Sequence, residues 1–308
     1  FLHLLFASGE RPFKIHLEEV LSIGGLNDDT LFMWVGIVAD SDNRLVVTDA
    51  MDYSLKMFDE KGRLLKKAGR KGHGPGEFLA PRFIDSSERF FYVSDQNIPG
   101  LQVFDKELNF KSRIQVLVPI ADFKVISDES IAISTLFMEK DKKAAIIILN
   151  SKGEVVRQVE YGDKDSPYMT DMVDFDLDSQ GNFYLAYNYQ DRIEKFSPDG
   201  KKLWSKRLLN IKEAKREKVG NLQLPSEHVY KDIALDSSGQ VFVLGGNFSK
   251  NPSRDVYVLS PEGELLTTFS LPDSSHCIYI DEKDFIYSRA DEGVTLKKFR
   301  MKHVSQNP

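Results

Sequence analysis

Cysteine is almost missing: the 308 residues hold one, Cys277. That excludes an intrachain disulfide and any metal cluster built on several thiolates. Cys277 stands in the apolar run Cys277-Ile278-Tyr279-Ile280, where a thiol acts as a small buried hydrophobe. No stretch approaches the roughly 20 consecutive apolar residues of a membrane helix. An excess of basic residues is also missing. The chain carries 41 Lys and Arg against 47 Asp and Glu, a net charge of −6. A nucleic-acid surface needs clustered positive charge, so nucleic acid is not an expected partner. The six histidines, His3, His16, His73, His228, His276 and His303, show no HxH or HxxxH metal spacing. No GxSxG element occurs. Gly72-His73-Gly74-Pro75-Gly76 is glycine-rich, but Pro75 lacks an amide donor and no Lys-Ser/Thr follows, so it reads as a turn and not a phosphate loop.

What is present is a repeat. A short apolar strand recurs as Leu45-Val46-Val47, Phe91-Tyr92-Val93, Ile131-Ala132-Ile133, Phe183-Tyr184-Leu185, Val241-Phe242-Val243 and Phe285-Ile286-Tyr287. The copies start 46, 40, 52, 58 and 44 residues apart. Each follows an acidic turn such as Asp40-Ser41-Asp42-Asn43 or Asp236-Ser237-Ser238-Gly239. Asp, Ser, Asn and Gly suit turns because they bond locally or accept unusual dihedrals. A next strand ends in an apolar residue and a second turn, as in Phe58-Asp59-Glu60-Lys61-Gly62 and Phe196-Ser197-Pro198-Asp199-Gly200. Another apolar segment precedes each acidic turn, so each unit has four short strands. Four-stranded units of 40 to 50 residues predict an all-β fold, a six-bladed β-propeller of antiparallel blades. Length alone would allow two domains, but stacked repeats form one body.

The last unit is one strand short. Phe13 to Ile23, FKIHLEEVLSI, alternates imperfectly at Ile15, Leu17, Val20 and Leu21 and is followed by Gly24-Gly25. It is expected to complete the last blade, giving one domain over 13–303 with residues 1–12 as an extension. Phe1 to Ala7 is apolar and precedes Ser8-Gly9. This matches either the tail of an export signal or an end that packs on the domain. Two segments break the spacing. Ile211 to Val219 is Lys/Glu-rich and predicts a short helix stopped by Gly220. Leu244 to Asp255 is a long polar connection.

Val46-Val47-Thr48-Asp49 through Phe58-Asp59, and Phe91-Tyr92-Val93-Ser94-Asp95-Gln96-Asn97 through Gln102-Val103-Phe104-Asp105, resemble the NHL repeat. Gly72 to Phe78 with Pro81 is similar to the connector that leads into the next NHL blade. The third unit departs from the pattern, with Ser134-Thr135 where the repeat has Asp. The whole resembles NHL-related six-bladed propellers of bacteria, many of them exported lipoproteins of unknown function. The resemblance implies an exported protein, periplasmic or outer-membrane-associated, with a lipid anchor upstream as one form. A monomer is expected.

Propellers bind ligands at one mouth of the central channel, on loops between blades and after each central strand. The candidate ligand residues there are Trp34, Asp49, Tyr53, His73, Arg82, Asp95, Asn97, Tyr168, Asn188, Tyr230, Asn247 and Arg289. Phe137, Glu139, Asp141 and Phe248 belong to the same loops. The aromatics are of the type that anchors protein, small-molecule or carbohydrate partners. Asp49, Asp95, Asn97, Asn188 and Asn247 supply oxygen donors that suit calcium; for Asp49 and Asp95 the simpler reading is turn capping. The expectation is a non-enzymatic binding protein without a cofactor. The alternative is a metal-dependent lyase or hydrolase at the channel mouth.

Overall fold

The computed structural model describes residues 13–135, 143–163, 166–167, 169–211, 215–247 and 252–305. Six four-stranded antiparallel sheets follow one another as blades. Their innermost strands are Trp34–Ala39, Pro81–Ser86, Asp122–Ser127, Val173–Leu177, Tyr230–Leu235 and Ile278–Ile280. Each central strand is almost wholly buried, and outer strands such as Leu64–Ala68 and Val155–Glu160 face solvent.

Strand alternation explains why the ring forms. Val46 points into a cluster with Ile84, Phe91 and Phe104 of blade 2, and Val47 into one with Tyr287 and Leu296 of blade 6. Ile131 and Ile133 face blade 2, and Ala132 faces blade 4. Six apolar clusters result, one between each pair of neighbouring blades. Both faces of every blade are buried only when six stand in a circle.

The circle is closed as expected. Phe13–Gly24 pairs antiparallel with Thr295–Ser305, from Phe13 opposite Ser305 to Gly24 opposite Thr295. The register shifts between Glu19 and Leu21, so Val20 is the extra residue of a bulge and is exposed. That bulge is the reason for the imperfect alternation. The helix expected over 211–219 is corrected. Arg216–Val219 is a strand that pairs with Leu222–Pro225. Gly220-Asn221 makes the two-residue turn, with Gly220 at φ 61°.

Side-chain clasps tie each inner strand to the next. Four use aspartate in one pattern. Asp85, Asp122, Asp176 and Asp232 each accept the N–H of the following residue. The second oxygen accepts an N–H from the next blade: Val125 at 2.6 Å, Phe175 at 3.2 Å, Leu235 at 2.9 Å and Ile278 at 2.8 Å. Between blades 6 and 1, the Tyr279 hydroxyl accepts from the Ala39 N–H at 3.1 Å. Between blades 1 and 2, buried Thr48 accepts from the Gly36 N–H at 2.8 Å and donates to the Arg82 carbonyl at 2.5 Å. A side chain at Gly36 would start 2.6 Å from that carbonyl, so only glycine allows the approach.

Thr48→Val leaves the partly buried Gly36 N–H and Arg82 C=O without their hydroxyl partner. It is expected to lower the unfolding free energy by about 1–3 kcal/mol, read from urea denaturation. An unchanged midpoint would show that the clasp does not support the ring.

Candidate functional site

Inner strands and connectors surround a cavity of about 300 Å³ on the axis. Arg82 enters from blade 2, Asp122 and Lys124 from blade 3, and Asp174 and Asn188 from blade 4. Lys231 and Asp232 come from blade 5, with His228 just before it. His276 and Cys277 lead into blade 6, and Arg289 ends its central strand. The loop after the central strand of blade 5 fixes His228. Gly246 donates to the Val229 carbonyl at 2.9 Å, and Asn247 donates to the His228 carbonyl at 2.7 Å. A Cβ at Gly246 would fall 1.9 Å from the His228 oxygen. Val229 in turn donates to the Asn188 carbonyl at 2.6 Å.

The charges are unevenly placed. Burial raises the Asp122 carboxyl to about 7, and the neighbouring Asp174 pushes the same way. Burial also raises Asp174. Burial, then Asp174, raises Asp232 well above the usual carboxylate range. Burial works against the Lys124 ammonium, but Asp176, Asp122, Asp85 and Asp232 together raise it. Its Nζ lies 3.5 Å from Asp176. Burial, with Lys231 nearby, lowers His228 to about 4; burial, with Arg289 nearby, lowers His276 to about 4. Both imidazoles are therefore neutral at pH 7. Burial brings the Lys231 ammonium, which donates to the Ser253 carbonyl at 2.7 Å, down to about 8. Burial pushes the Cys277 thiol up to about 12.

The wall of the cavity thus holds four cationic side chains, Arg82, Lys124, Lys231 and Arg289, and three carboxylates, Asp122, Asp174 and Asp232. Burial makes all three carboxylates harder to ionise than a free aspartate, and cationic side chains outnumber them on the wall although the chain as a whole carries −6.

Of the residues expected from sequence, Arg82, Asn188 and Arg289 line this cavity. Asn188 donates to Asp174 at 2.6 Å. The others are placed elsewhere or serve the frame. Trp34 is fully buried, and its Nε1 donates to the Thr295 carbonyl at 3.0 Å, joining blades 1 and 6. Tyr230 is fully buried, and its hydroxyl donates to Asp191 at 2.6 Å. Asp49 is buried, accepts from the Phe32 and Met33 N–H groups and pairs with Lys56 at 2.8 Å. Asp95 accepts from Leu79, Ala80 and Asn97. These carboxylates are occupied by backbone and lysine, as turn capping requires. Tyr53 packs with the cluster between blades 1 and 2 at φ 52°, with Lys71 over its ring. His73 is exposed in the glycine turn, where Glu77 accepts from the Gly74 N–H at 2.8 Å. Asn97 is exposed, and Asn247 sits on the His228 connector. Tyr168, Phe137, Glu139, Asp141 and Phe248 lie outside the described residues. Among the described residues, no group of three or more His, Cys, Asp or Glu is placed to hold a metal ion, and no helix is long and apolar enough to cross a membrane.

Sequence reading missed Asp122, Lys124, Asp174, Lys231 and Asp232 as channel residues. The available signal was charge inside otherwise apolar inner strands, as in Val173-Asp174-Phe175-Asp176-Leu177. A charge on a strand buried on both faces must be pointing along the sheet edge or into a cavity.

Blade count, sheet order and an axial site define a six-bladed β-propeller. The chain belongs to the DUF5128 family, described as a 6-bladed beta-propeller, which matches residues 26–235. None of the curated proteins compared matches it in sequence. Solved structures with the same fold include a protein of unknown function from Bacteroides thetaiotaomicron, at 13% identity and TM-score 0.61, covering 94% of this chain and 76% of that one. A DUF4221 member from Bacteroides vulgatus aligns at 14% identity and TM-score 0.63, covering 95% and 99%. Virginiamycin B lyase from Staphylococcus aureus aligns at 11% identity and TM-score 0.55, covering 93% and 99%. At such identities the likeness is one of fold.

The carboxylates make stability depend on pH. An unfolded aspartate titrates near 3.9, and Asp122 in the folded protein at about 7. Below pH ~4 both states hold the proton. Between the two values only the folded state holds it, so this site destabilises the fold as pH rises, and the loss is complete above about 7. Asp174→Asn keeps an oxygen for Asn188 and removes one of the repelling carboxylates. Its stability relative to the parent protein is expected to improve by about 1 kcal/mol between pH 5 and pH 8, roughly one pKa unit of relieved repulsion. Urea denaturation at the two pH values checks this; a variant less stable than the parent at pH 8 would refute mutual repulsion in the trio.

Proposed function

We propose that this propeller is a non-enzymatic binding protein that takes a small polar ligand at the mouth of its axial channel. The observation that carries the reading is convergence. Arg82, Asn188, Lys231, His276 and Arg289 come from four blades and the connectors between them, and they meet on one cavity. Apolar packing does not require these side chains there; donors gathered on a concave surface are what a polar ligand needs.

Three features favour binding over catalysis. His228 and His276, at about 4, are weak bases at neutral pH. The Cys277 thiol, at about 12, is a poor nucleophile. The candidate oxygen donors Asp49 and Asp95 already cap backbone amides. A small ligand is favoured over a protein partner because Trp34 and Tyr230, of the residue types that anchor proteins, are buried inside the blades. The lyase among the structural neighbours supports the alternative at the level of fold alone.

The test is a thermal-shift panel of sugars, carboxylates and phosphates. At least one compound is expected to raise the melting temperature of the parent protein by several degrees, with the shift lost in Arg289→Gln. Chemical conversion of a bound compound, abolished in His276→Ala, would overturn the non-enzymatic reading.

A further inference from the structure

A second cavity of about 510 Å³ opens beside the first, between blades 2 and 3. Its wall combines the apolar Ile98, Val116, Leu117, Val118, Pro119 and Ile120 with the polar Ser94, Asp95, Gln96 and Asn97. Leu117 is 95% exposed, a position that costs apolar surface without an occupant. Arg82 lines both cavities. Its guanidinium lies over the Phe83 ring, 4.4 Å from the centroid, and makes no hydrogen bond or ion pair among the described residues. An arginine left in this state at the junction of two cavities is free to take a planar anion through its paired donors.

We propose that the two cavities form one site, and that the ligand is an amphiphilic anion: a carboxylate head at Arg82 and a medium-length hydrocarbon tail in the groove beside Leu117. This rests on the reading of the channel mouth as a binding site and adds the chemistry of its ligand. Charge fixes the head, because four cationic side chains stand on the wall of the mouth against three carboxylates, and Arg82 is the one that reaches both cavities. Sterics and desolvation then fix the tail. From Arg82 a substituent can run down the axis or outward. Down the axis it would meet Lys124, Asp122, Asp174 and Asp232, and burying hydrocarbon against charges strips their solvation. Outward it meets six apolar side chains, and the one carboxylate there, Asp95, is already bonded to the Leu79, Ala80 and Asn97 amides. A free carboxylate such as acetate fills only the first part, and a neutral alcohol only the second.

The experiment is isothermal titration of the full chain with decanoate, acetate and 1-decanol, each below its aggregation concentration. Decanoate is expected to bind at least tenfold more tightly than either of the others. Arg82→Gln should weaken decanoate and acetate tenfold or more. Leu117→Asp, at an exposed position that the fold does not need, should weaken decanoate tenfold and leave acetate unchanged. Decanol binding as tightly as decanoate would overturn the anionic head. Decanoate binding no better than acetate, with no effect of Leu117→Asp, would overturn the groove while the mouth still stands as an anion site. Absence of binding by both anions would overturn the groove and the carboxylate head together, and the panel of sugars and phosphates then decides the mouth separately.

Discussion

The constraint on which the ring depends is the free edge of each inner strand. Every blade is a sheet of four, and its first strand ends at the channel with a row of backbone groups and no further strand beside it. Buried amides of this kind need partners. The chain answers with a carboxylate from the preceding blade, four times out of six, each bonding one amide of its own strand and one of the next. Thr48 and Tyr279 complete the circle with hydroxyls. The apolar clusters between blades supply the attraction, and the clasps set how far apart neighbouring inner strands stand.

This solution places negative charge along the axis, and the rest of the channel follows from it. Carboxylates close together in a desolvated space raise one another's proton affinity. Lys124 answers them from among four acidic groups. Lys231 and Arg289 add two further cations to the same cavity wall. Burial first, and these cations second, suppress protonation of His228 and His276, so the imidazoles enter the site as neutral donors and acceptors. Structural acids and site bases are thus parts of one electrostatic system, and a substitution meant for the site also acts on the frame.

The fold was legible because its signal is repeated. Six copies of an apolar triplet between turns leave little freedom, and each turn residue, such as Asp40 bonding the amides of Asp42 and Arg44, acts locally as its type requires. The closing strand was legible despite Val20, because a bulge disturbs the alternation by one residue only. The hairpin at 216–225 was misread since Lys and Glu favour helix and strand order is imposed there by the Gly220-Asn221 turn and by Arg216 reaching Thr170. The site was legible only in part. Arg82, Asn188 and Arg289 sit on loops or strand ends, where sequence reasoning looks for function. Lys231 and Asp232 sit inside a strand, and their side-chain direction depends on the register of a sheet edge that no local pattern reveals.

At the position after the central strand, the departures from the pattern of the first two blades fall on adjacent blades. Asp stands after the central strand in the first two blades, where it caps the incoming connector, whereas blade 3 has Ser134-Thr135, blade 4 has Asn188 and blade 5 has Gly246-Asn247. A carboxylate at those positions would spend itself on backbone, as Asp49 and Asp95 do. Exchanging it for an amide or for glycine frees the connector to bring His228 toward the axis and leaves Asn188 to face the cavity. A frame that needs six equal units would gain nothing from such exchanges. They are understandable as the means by which a symmetric ring acquires one asymmetric, cation-rich mouth.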